Sequence, residues 1–502
     1  MRGWNALCRL ACGHADFYRL WSHHFAPLHE AAWIGKAAPL EDLAIAHLPG
    51  GSSRLAERFI AAEQKGLRWF VPLLSDDSVS DSLARVLGAA LSRWSDADII
   101  YWDEDERTLE GPARPWIKPQ WDPLLHKARD CLGGASAVRI EAAMAVLAQH
   151  PQLPATAEGL ARLQQGMLDA GARPHHVPLV LTHRTAPTDR VEHWASFVRA
   201  HWPDWQVGTK SQAPGFAQVL PPEPDTWPSV SIIIPARDRP DLMQSCLSGL
   251  ARLRYPGPVE IIVVDNGSSD AAMLALLAAA QENRTIRVLR DDGPFNFSRL
   301  NNIAAASSSH EYLCLLNNDV EPCDGDWLNA MMRHCIQPAV GAVGARLLYP
   351  NGRIQHAGVA LGVGNAAGHV QRGVEPASRD HCSWHSVSRQ VSAVTAACLL
   401  VARHHYEAVG GLDADGFAVA FNDVDFCLKL QARGLANIWC AEATLFHAES
   451  CSRPHDMRRD QRERFERELR LLQARWHTAV CNDPHHSPLF SRSFEQCTLA
   501  LI

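Results

Sequence analysis

The stretch VSIIIPARDRPD, residues 230–241, is an apolar run that ends in a charged turn, and the same pattern recurs twice downstream. The second example is VEIIVVDNGSSD at 259–270, and the third is YLCLLNNDVEP at 312–322. Between the first two, apolar residues from Leu242 to Leu253 recur at helical spacing. Apolar runs without alternation are typical of strands buried on both faces of a parallel sheet. We therefore expect an α/β fold, with a mainly parallel sheet and flanking helices.

The composition narrows the classes of protein to consider. The chain has 502 residues, which predicts more than one domain, and 47% of them are hydrophobic, as in ordinary globular proteins. Its net charge of −7 argues against nucleic acid as a partner. The 14 cysteines show no CxxC spacing, which fits a reduced, cytoplasmic chain. The sequence has no apolar run long enough to span a membrane, so we expect at most peripheral contact with the inner face of the plasma membrane.

A proline-rich segment at 212–228 divides the chain. It contains five prolines and no regular periodicity, as is typical of a linker between domains. We place one domain before it, at 1–211, and the catalytic domain after it, at 229–480. The remaining residues, 481–502, are expected to form a C-terminal tail.

Asp265 and Asp319 follow the second and third apolar runs. In parallel α/β sheets ligands bind beyond the carboxyl ends of the strands, so both aspartates are candidate ligand residues. The Asp265 carboxylate can accept a hydrogen bond from the imide N–H of uracil or thymine, and Asn266 follows it directly. Gly267 and Ser268 allow a tight turn there, although a plain turn built on an aspartate also explains these residues.

Asn317, Asn318 and Asp319 form the turn after the third apolar run. An amide and a carboxylate two positions apart can hold a hard divalent cation that bridges a diphosphate. This pattern predicts Mg²⁺ or Mn²⁺ as cofactor. The alternative is that the turn caps a helix that begins near Trp327.

Three further polar residues, Ser298, Asn301 and Asn302, lie in FNFSRLNN at 295–302. We expect a helix of small residues to follow at 303–308. Side chains just before a helix N-terminus can donate to phosphate or ribose oxygens, which makes these three candidate donor-binding residues. Helix capping alone would explain some of them.

Two carboxylates, Asp423 and Asp425, lie at alternate positions of FNDVDFCLKL at 421–430, and His447 ends the apolar run ATLF. A carboxylate near an acceptor hydroxyl can act as general base. Acidic residues at the start of a helix are also favoured by its dipole, which is the alternative. A lone histidine is most often structural, but the ordered motifs before His447 favour a functional role.

Taken together, these segments resemble the family 2 glycosyltransferases of GT-A fold, over residues 228–476. The strings GPFNFSRLNN, LCLLNNDVEP, GRIQHAGVALG, VSAVTAACLLV and AVAFNDVDFCLKL are similar to bacterial enzymes of O-antigen and surface-polysaccharide assembly, including rhamnosyltransferases. The resemblance implies that Pro235 and Arg237 flank the nucleoside and that Asp265 reads the base. It also implies that Asp423 is the general base.

The same resemblance implies a divalent metal held by Asp319 and His447. The chain departs from the family pattern at Asn317, which replaces the first acid of the metal motif, and at Asn422, which replaces a glutamate before the base. Asn301 replaces an arginine that binds phosphate in many members. On the acceptor side we expect three residues: Asn422, Asp425 and His356.

The first half resembles a truncated copy of the same domain. Its segments VPLLSDDSVS, ADIIYWDEDE and IKPQWDPLL are similar to those of relatives with two tandem catalytic domains. We expect it to lack a strand equivalent to the apolar run at 230–234 and to lack the nucleoside acid. Asp76 and Asp77 remain in the turn that corresponds to the predicted metal-binding turn at 317–319, and only Glu158 lies at the position that corresponds to the base. These features predict an incomplete, inactive GT-A-like domain.

The resulting hypothesis is an inverting, metal-dependent transfer of a sugar from a UDP- or dTDP-sugar to a glycan or lipid-linked acceptor in cell-surface polysaccharide biosynthesis. One alternative is a sugar-phosphate nucleotidyltransferase, which should carry a glycine-rich, basic phosphate loop after its first strand. The turn PARDRPD has no such glycines, and that alternative leaves Asp423 without a role. The other alternative is a non-catalytic scaffold that binds nucleotide sugars.

Overall fold

The protein is described by a computed structural model. It describes residues 15–49, 51–74, 76–185, 191–209, 215–378, 384–448 and 459–501. In the first half the helices are α1 (Ala15–His24), α2 (Ala26–Ile34), α3 (Leu55–Glu63), α4 (Leu83–Arg93), α5 (Pro123–Ala128), α6 (Ile140–Gln149), α7 (Ala157–Asp169) and α8 (Val191–His201). The strands there are β1 (Leu43–Leu48), β2 (Trp69–Leu74), β3 (Ser78–Val79), β4 (Ile99–Thr108), β5 (Gly111–Trp116), β6 (Ser136–Arg139), β7 (Pro174–Arg184), β8 (Gln206–Thr209) and β9 (Ala217–Leu220).

The second half continues the alternation of strands and helices. Its helices are α9 (Pro240–Leu250), α10 (Ala271–Glu282), α11 (Phe297–Ser307), α12 (Trp327–Cys335), α13 (Arg403–Ala408), α14 (Asn422–Gln431) and α15 (Arg459–Trp476), with 3₁₀ turns at Val363–Asn365 and Trp384–Ser386. Its strands are β10 (Val230–Ala236), β11 (Val259–Asp265), β12 (Arg287–Arg290), β13 (Tyr312–Leu316), β14 (Val320–Pro322), β15 (Val340–Leu348), β16 (Ile354–His356), β17 (Val359–Leu361), β18 (Ala367–His369), β19 (Arg389–Val391), β20 (Cys398–Ala402) and β21 (Ala436–His447).

The C-terminal sheet has the strand order β12-β11-β10-β13-β20-β15-β21-β14. Neighbours from β12 to β13 are parallel, β20 is antiparallel to both of its neighbours, and β15 and β21 are parallel again. Every residue of β10 is buried, because helices cover both faces of the sheet. The expected α/β class is confirmed, but the sheet is mixed and not mainly parallel, because β14, β16, β19 and β20 run antiparallel to their neighbours.

The register of the central strands brings their carboxyl ends together. Ala236 at the end of β10 pairs with Asp265 at the end of β11, and Ile233 of β10 pairs with Leu315 of β13. The turns that follow these three strands therefore lie side by side at one edge of the sheet. This edge is where a parallel α/β sheet binds its ligand.

The N-terminal sheet has the order β1-β2-β6-β4-β7-β3, and β5 pairs with β4. Its strand order and strand directions match those of the C-terminal sheet once β11 and β12 are left out. Thus β1 corresponds to β10, β2 to β13, and β7 to β21. The two halves share one topology, and the first half has no counterpart of the two nucleoside-side strands among its described residues.

One expectation about the first half was wrong. We expected no opening strand, but β1 is present and runs parallel to β2. Its sequence LAIAHL is short and its side chains are only partly buried, with Ile45 45% exposed. Among the described strands β1 pairs with β2 alone, so its outer edge is not buried as that of β10 is, and its apolar pattern is correspondingly weak.

The segment expected to be a linker is partly structured. Residues 212–214 lie outside the described residues, but β9 forms a hairpin with β8. Phe216, Ala217 and Val219 point inward and are buried. The alternation is short, and the prolines that follow it concealed it in the sequence.

The two halves and the C-terminal tail pack against one another. One continuous core contains Trp116 and Leu125 from the first half together with Ile232 and Met243 from the second. The tail returns to the N-terminus, where Trp21 Nε1 donates to the Ala500 carbonyl at 2.7 Å. In the described part of the chain, every helix is too short or too polar to cross a membrane.

Candidate active site

The nucleoside side of the site is formed by the turns after β10 and β11. Pro235 is the buried next-to-last residue of β10, and Arg237 directly follows the strand with 58% of its side chain exposed. Asp265 is 2% exposed, and both of its carboxylate oxygens have partners. Oδ1 accepts from the Ser268 backbone N–H at 3.0 Å, and Oδ2 is ion-paired with Arg290. The carboxylate is therefore held in one orientation at the strand end.

Asn266, expected to bind the nucleotide, instead holds the turn after β12. It is 2% exposed, and its Nδ2 donates to the carbonyls of Asp291 and Gly293 at 3.0 and 2.9 Å. The Asn266 amide nitrogen is thus engaged by the turn after β12. Its predicted contact with the nucleotide stays a prediction.

The three polar residues of α11 also have structural roles. We expected them to precede a helix at 303–308, but the helix begins at Phe297, capped by the Asn296 side chain, which accepts from the Arg299 N–H at 2.9 Å. They therefore lie within the helix. Ser298 Oγ donates to the Phe417 carbonyl, Asn301 Nδ2 to the Phe297 carbonyl, and Asn302 Nδ2 to the Leu412 carbonyl.

These contacts give the three residues structural roles, and their predicted role in donor binding stays a prediction. Ser298 and Asn301 are fully buried. Asn302 also accepts from the Tyr406 hydroxyl at 2.6 Å and from the Leu412 N–H at 3.1 Å, so both ends of its amide are satisfied. Ser298 and Asn302 fix the loop at 412–418, which leads into α14.

Asp319 and His447 meet at the other end of the site. Val320, the residue after Asp319, pairs with His447 across β14 and β21, and the Ala448 N–H donates to the Asp319 carbonyl at 3.0 Å. His447 Nε2 lies 3.2 Å from Asp319 Oδ1. The antiparallel register thus brings together two residues that are far apart in sequence.

These two side chains suit a divalent cation. Both are nearly buried, at 8% and 6% exposed, and a carboxylate and an imidazole are ligands that Mn²⁺ and Mg²⁺ accept. Their separation of 3.2 Å is close to the ~3 Å between adjacent ligands of an octahedral ion with bonds of about 2.1 Å. Asn317 and Asn318 occupy the same turn, and Asn318 is 9% exposed.

Asp423 is the second residue of α14 and is half-buried. Its Oδ2 accepts from the Ala396 N–H at 3.2 Å, its Oδ1 accepts from the Val424 N–H at 2.8 Å, and the Thr395 side chain is a further hydrogen-bond partner. Residues 394–397 are here called the bridging loop. This loop also contacts the turn formed by residues 317–319, here called the metal turn, because the Ala397 carbonyl accepts from the Asn317 N–H at 3.0 Å. The bridging loop therefore fixes Asp423 relative to Asp319.

Burial raises the pKa of Asp423 above its ordinary value of 3.8, although the hydrogen bonds from Ala396, Val424 and Thr395 act in the opposite direction. A carboxylate with a raised pKa is a stronger base while it is still ionised at neutral pH. The environment of Asp423 thus suits proton abstraction better than that of a plain helix cap.

Two other residues expected on the acceptor side are buried. Asn422 is 3% exposed and donates to the Val419 carbonyl at 2.9 Å. Asp425 is fully buried, and its Oδ1 accepts from Arg475 and from the Trp476 indole at 2.8 and 2.9 Å. In the structure Asn422 shapes the turn before α14, and Asp425 attaches α15 to the domain. Their predicted place on the acceptor side stays a prediction.

His356 is also buried and lies beneath the bridging loop. Its Nδ1 is 2.9 Å from His369 Nδ1, and its Nε2 accepts from the Thr395 N–H at 3.4 Å. Burial lowers the pKa of His356 well below its ordinary value, and His369 and Arg389 add to this effect. The buried His356 imidazole supports the bridging loop through Thr395. Its predicted place on the acceptor side stays a prediction.

Sequence reasoning missed two residues that the structure places at the site. Thr395 connects His356 to Asp423, and Arg290 orients Asp265. The only signal for Thr395 was the small-residue string TAA before a buried strand. Arg290 ends β12, and its contact depends on the parallel pairing Asp265 with Arg290, which the sequence alone does not reveal.

The first half carries counterparts of these positions. Ser78 pairs with His183 as Val320 pairs with His447, so Asp77 and His183 correspond to Asp319 and His447. His183 Nδ1, however, contacts Asp105 at 2.6 Å, and Asp77 Oδ1 accepts from the Thr185 N–H at 3.3 Å. Glu158 is the second residue of α7, as Asp423 is of α14, but it pairs with Arg162 at 2.8 Å.

Comparison with known proteins identifies a protein family that matches part of the second half. Residues 231–358 match the family model described as glycosyl transferase family 2. The chain is 35% identical over 448 residues to a Sinorhizobium fredii protein named uncharacterized protein y4gI, an alignment that covers 84% of this chain and 48% of that one. It is 31% identical over 414 residues to the O-antigen biosynthesis protein RfbC of Myxococcus xanthus, covering 76% of this chain and 31% of that one.

The chain thus spans less than half the length of these two relatives. Among solved structures, it is similar to a mannosyltransferase of Pyrobaculum calidifontis in complex with GDP-Man and Mn²⁺, with 17% identity and a TM-score of 0.39 over 54% of this chain and 70% of that one. The matched residues 231–358 include Asp265 and Asp319, the strand-end carboxylates described above. The chain therefore carries a glycosyltransferase domain of family 2.

Proposed function

We propose that this protein catalyses inverting, metal-dependent transfer of a sugar from a nucleoside diphosphate donor, a UDP- or dTDP-sugar, to a glycan or lipid-linked acceptor. The observation that carries the proposal is the bridging loop. It binds Asp423 on one side and the metal turn at Asn317 on the other. A base and a diphosphate site held by one loop suit a reaction in which the acceptor is deprotonated as the diphosphate leaves.

Asp265 supports a pyrimidine donor. Its carboxylate is held at the end of β11 by Ser268 and Arg290, beside the end of β10 where Pro235 and Arg237 lie. A fixed carboxylate can accept from the imide N–H of uracil or thymine, a ring N–H that the Watson–Crick edge of adenine lacks. We therefore expect a UDP- or dTDP-sugar to be the donor.

Asp319 and His447 are the residues that would hold a divalent cation, and the Asn317 amide lies in the same turn. Such a cation, when bound, would supply charge neutralisation for the leaving diphosphate. The chain's own contribution is to fix the two ligands by pairing β14 with β21. Removing either ligand should weaken donor binding and turnover together.

Asp423 is the proposed base. It takes the proton of the acceptor hydroxyl as the oxygen attacks the anomeric carbon, and the bond from that carbon to the diphosphate oxygen breaks on the opposite face. The Ala396 N–H and Thr395 keep the carboxylate in place before and after proton transfer. General-base assistance of this kind typically contributes about 10²- to 10⁴-fold in rate.

The relative from Myxococcus xanthus, named for O-antigen biosynthesis, supports cell-surface polysaccharide assembly as the setting. A growing glycan or a lipid-linked sugar is the acceptor class that fits such assembly. The chain spans only 31% of that relative's length, so the acceptor is proposed from the shared region alone.

A panel of nucleotide sugars tests the proposal. Purified protein with Mn²⁺ is incubated with UDP-, dTDP- and GDP-sugars, with and without a lipid-linked or glycan acceptor, and the released nucleotide is measured. We expect UDP or dTDP release that increases with acceptor, and a product of inverted anomeric configuration by NMR. Release of pyrophosphate from a sugar phosphate and a nucleoside triphosphate would instead indicate a nucleotidyltransferase.

A further inference from the structure

A second group of metal-ligating side chains lies away from the proposed catalytic residues. His334 is in the last turn of α12, and Cys440 and Glu442 lie two positions apart on β21. His334 is 2% exposed and Cys440 is fully buried. Among the described residues, these three side chains form a group that could hold a metal ion, because their ligating atoms all lie within 4.8 Å of one another. None of the three has a role in the proposed sugar transfer.

The distances suit a tetrahedral ion. Cys440 Sγ lies 3.8 Å from Glu442 Oε2, and His334 Nε2 lies 3.9 Å from the same oxygen. Ligands of a tetrahedral zinc ion with ordinary bond lengths are separated by about 3.4–3.6 Å. Shifts of a few tenths of an ångström at these two contacts, and up to about an ångström between His334 and Cys440, would complete the arrangement.

The hydrogen bonding and ionisation of the three side chains also favour a bound ion. His334 Nε2 is buried and has no partner within hydrogen-bond distance, since Glu442 Oε2, towards which it is directed, lies 3.9 Å away. An unpaired buried ring nitrogen is costly, so a partner is expected. Burial acts to raise the pKa of Glu442, but His334 and Ser388 outweigh it and leave the pKa below its ordinary value, so the carboxylate is ionised. Burial raises the pKa of the Cys440 thiol, which keeps its proton while no metal is bound.

The nearest cations do not fill the site. Arg346 is close enough to interact electrostatically with Glu442 and Cys440. Its Nε and Nη2, however, donate to Thr444 Oγ1 at 3.0 and 2.7 Å. Arg333 donates from Nη1 to the Gln206 side chain at 2.8 Å. Arg346 is therefore directed at Thr444, and the Nε and Nη1 groups of Arg333 donate to the Pro221 carbonyl and the Gln206 side chain. Arg333 Nη2 is buried without a hydrogen-bond partner, as is His334 Nε2.

We propose that His334, Cys440 and Glu442 bind a zinc-class divalent ion. On binding, the Cys440 thiol releases its proton to solvent and the thiolate becomes a ligand, together with the Glu442 carboxylate and the neutral His334 imidazole. Gln218 Nε2 donates to Glu442 Oε1 at 3.4 Å and so orients the carboxylate, and a water molecule would complete four ligands. A thiolate in the set favours zinc over the hard ions Mg²⁺ and Ca²⁺.

Such an ion would join parts of the fold that are distant in sequence. α12 and β21 belong to the C-terminal sheet domain, Ser388 precedes β19 and hydrogen-bonds Glu442, and Gln218 lies on β9 in the segment that leads from the first half. The ion would therefore stabilise the junction between the halves and would not take part in sugar transfer. The site is independent of the proposed function.

Metal content tests the inference. The full-length protein is passed over a mild chelating resin to remove loosely bound ions from its 25 histidines, and metal is measured by plasma mass spectrometry. We expect about one zinc ion per chain. Cys440→Ser should lose it. Cys335→Ser, which removes another buried thiol in α12 beside His334, should retain it and is the matched control.

A second measurement separates this site from the catalytic one and does not depend on the folding of Cys440→Ser. Wild-type protein stripped of metal and loaded with Co²⁺ should show a thiolate-to-metal charge-transfer band in the near ultraviolet, and the double variant Asp319→Asn/His447→Ala should show the same band. Wild-type protein with less than about a tenth of an ion per chain and no such band with Co²⁺ would overturn the inference. So would loss of the band in the double variant.

Discussion

At the scale of single residues, the site depends on how Asp423 is held. Its carboxylate is half-buried and receives hydrogen bonds from Ala396, Val424 and Thr395. Burial raises its pKa and the hydrogen bonds lower it, and burial has the larger effect. The pKa of this group should therefore be visible in the pH dependence of the reaction.

The pH–rate profile follows from this balance. A general base must be ionised, so kcat/KM should fall as the pH drops through the raised pKa of Asp423, above the ordinary 3.8. Thr395→Val removes a hydrogen bond that stabilises the ionised form, and should move the acid limb to still higher pH. Measurement of kcat/KM against pH for both proteins checks this. An unchanged limb in Thr395→Val would separate Thr395 from the base.

The metal ligands give a second prediction at this scale. Excess EDTA should abolish turnover and Mn²⁺ or Mg²⁺ should restore it, because the leaving diphosphate loses its neutralising charge without the ion. Asp319→Asn and His447→Ala should each lower turnover by at least about 10²-fold and raise the Mn²⁺ concentration needed for half-maximal activity. Their counterparts in the first half, Asp77→Asn and His183→Ala, are matched controls that should leave both quantities unchanged.

Full activity in EDTA would contradict the metal assignment. So would a loss of activity in Asp77→Asn or His183→Ala while the protein stays folded, because it would indicate a second working site. Circular dichroism of each variant distinguishes loss of chemistry from loss of fold.

The order of residue types along the chain was enough to predict part of the candidate site, but it did not reveal the side-chain contacts. Asp265, Asp319 and Asp423 were predictable because each ends an apolar run or begins a helix pattern. The contacts of Asp425 with Arg475 and Trp476 were not predictable, because these partners are about fifty residues away in sequence and spacing carries no information about such contacts.

At the scale of elements, β10, β11 and β13 were predictable to within about two residues, because each is a continuous apolar run. The start of α11 was not, because the cap at Asn296 and two aromatic residues resemble a loop in sequence. β1 was missed because its one-sided pairing leaves its side chains only partly buried. Burial, rather than intrinsic propensity, decided which elements could be recognised.

The comparison of the two sheets leads to a prediction about nucleotide binding. The N-terminal sheet has no counterpart of β11 and β12 in its described part, and these strands carry Asp265 and its partner Arg290. Titration of the full chain with UDP or dTDP in Mn²⁺ by calorimetry should therefore give about one site per chain. Asp265→Ala should weaken that site by at least about tenfold, through loss of one charged hydrogen bond. A stoichiometry of two would contradict the account.

At the scale of the whole molecule, the halves share a core. Trp116 and Phe216 pack in the same cluster as Ile232 and Met243, so neither half encloses its apolar surface alone. We expect one cooperative thermal transition for the full chain. Trp116→Ala, which costs about 3–5 kcal/mol in typical cores, should shift that single transition to lower temperature.

Differential scanning calorimetry distinguishes the possibilities. Two separate transitions, with only one of them moved by Trp116→Ala, would show that the halves unfold independently. The matched control is Trp33→Ala, which lies in a partly buried contact with Trp94 outside that core and should have a smaller effect.

The central claim is that the second half transfers sugar with Asp423 as its base and that the first half does not. The most direct test is nucleotide release from the donor identified in the panel, measured for wild type, Asp423→Asn and Glu158→Gln. Both variants change the second residue of corresponding helices from an acid to an amide. We predict that Asp423→Asn lowers kcat by about 10²- to 10⁴-fold with nucleotide affinity retained, and that Glu158→Gln is unchanged. Turnover of Asp423→Asn within a few-fold of wild type, or a comparable loss in Glu158→Gln, would contradict it.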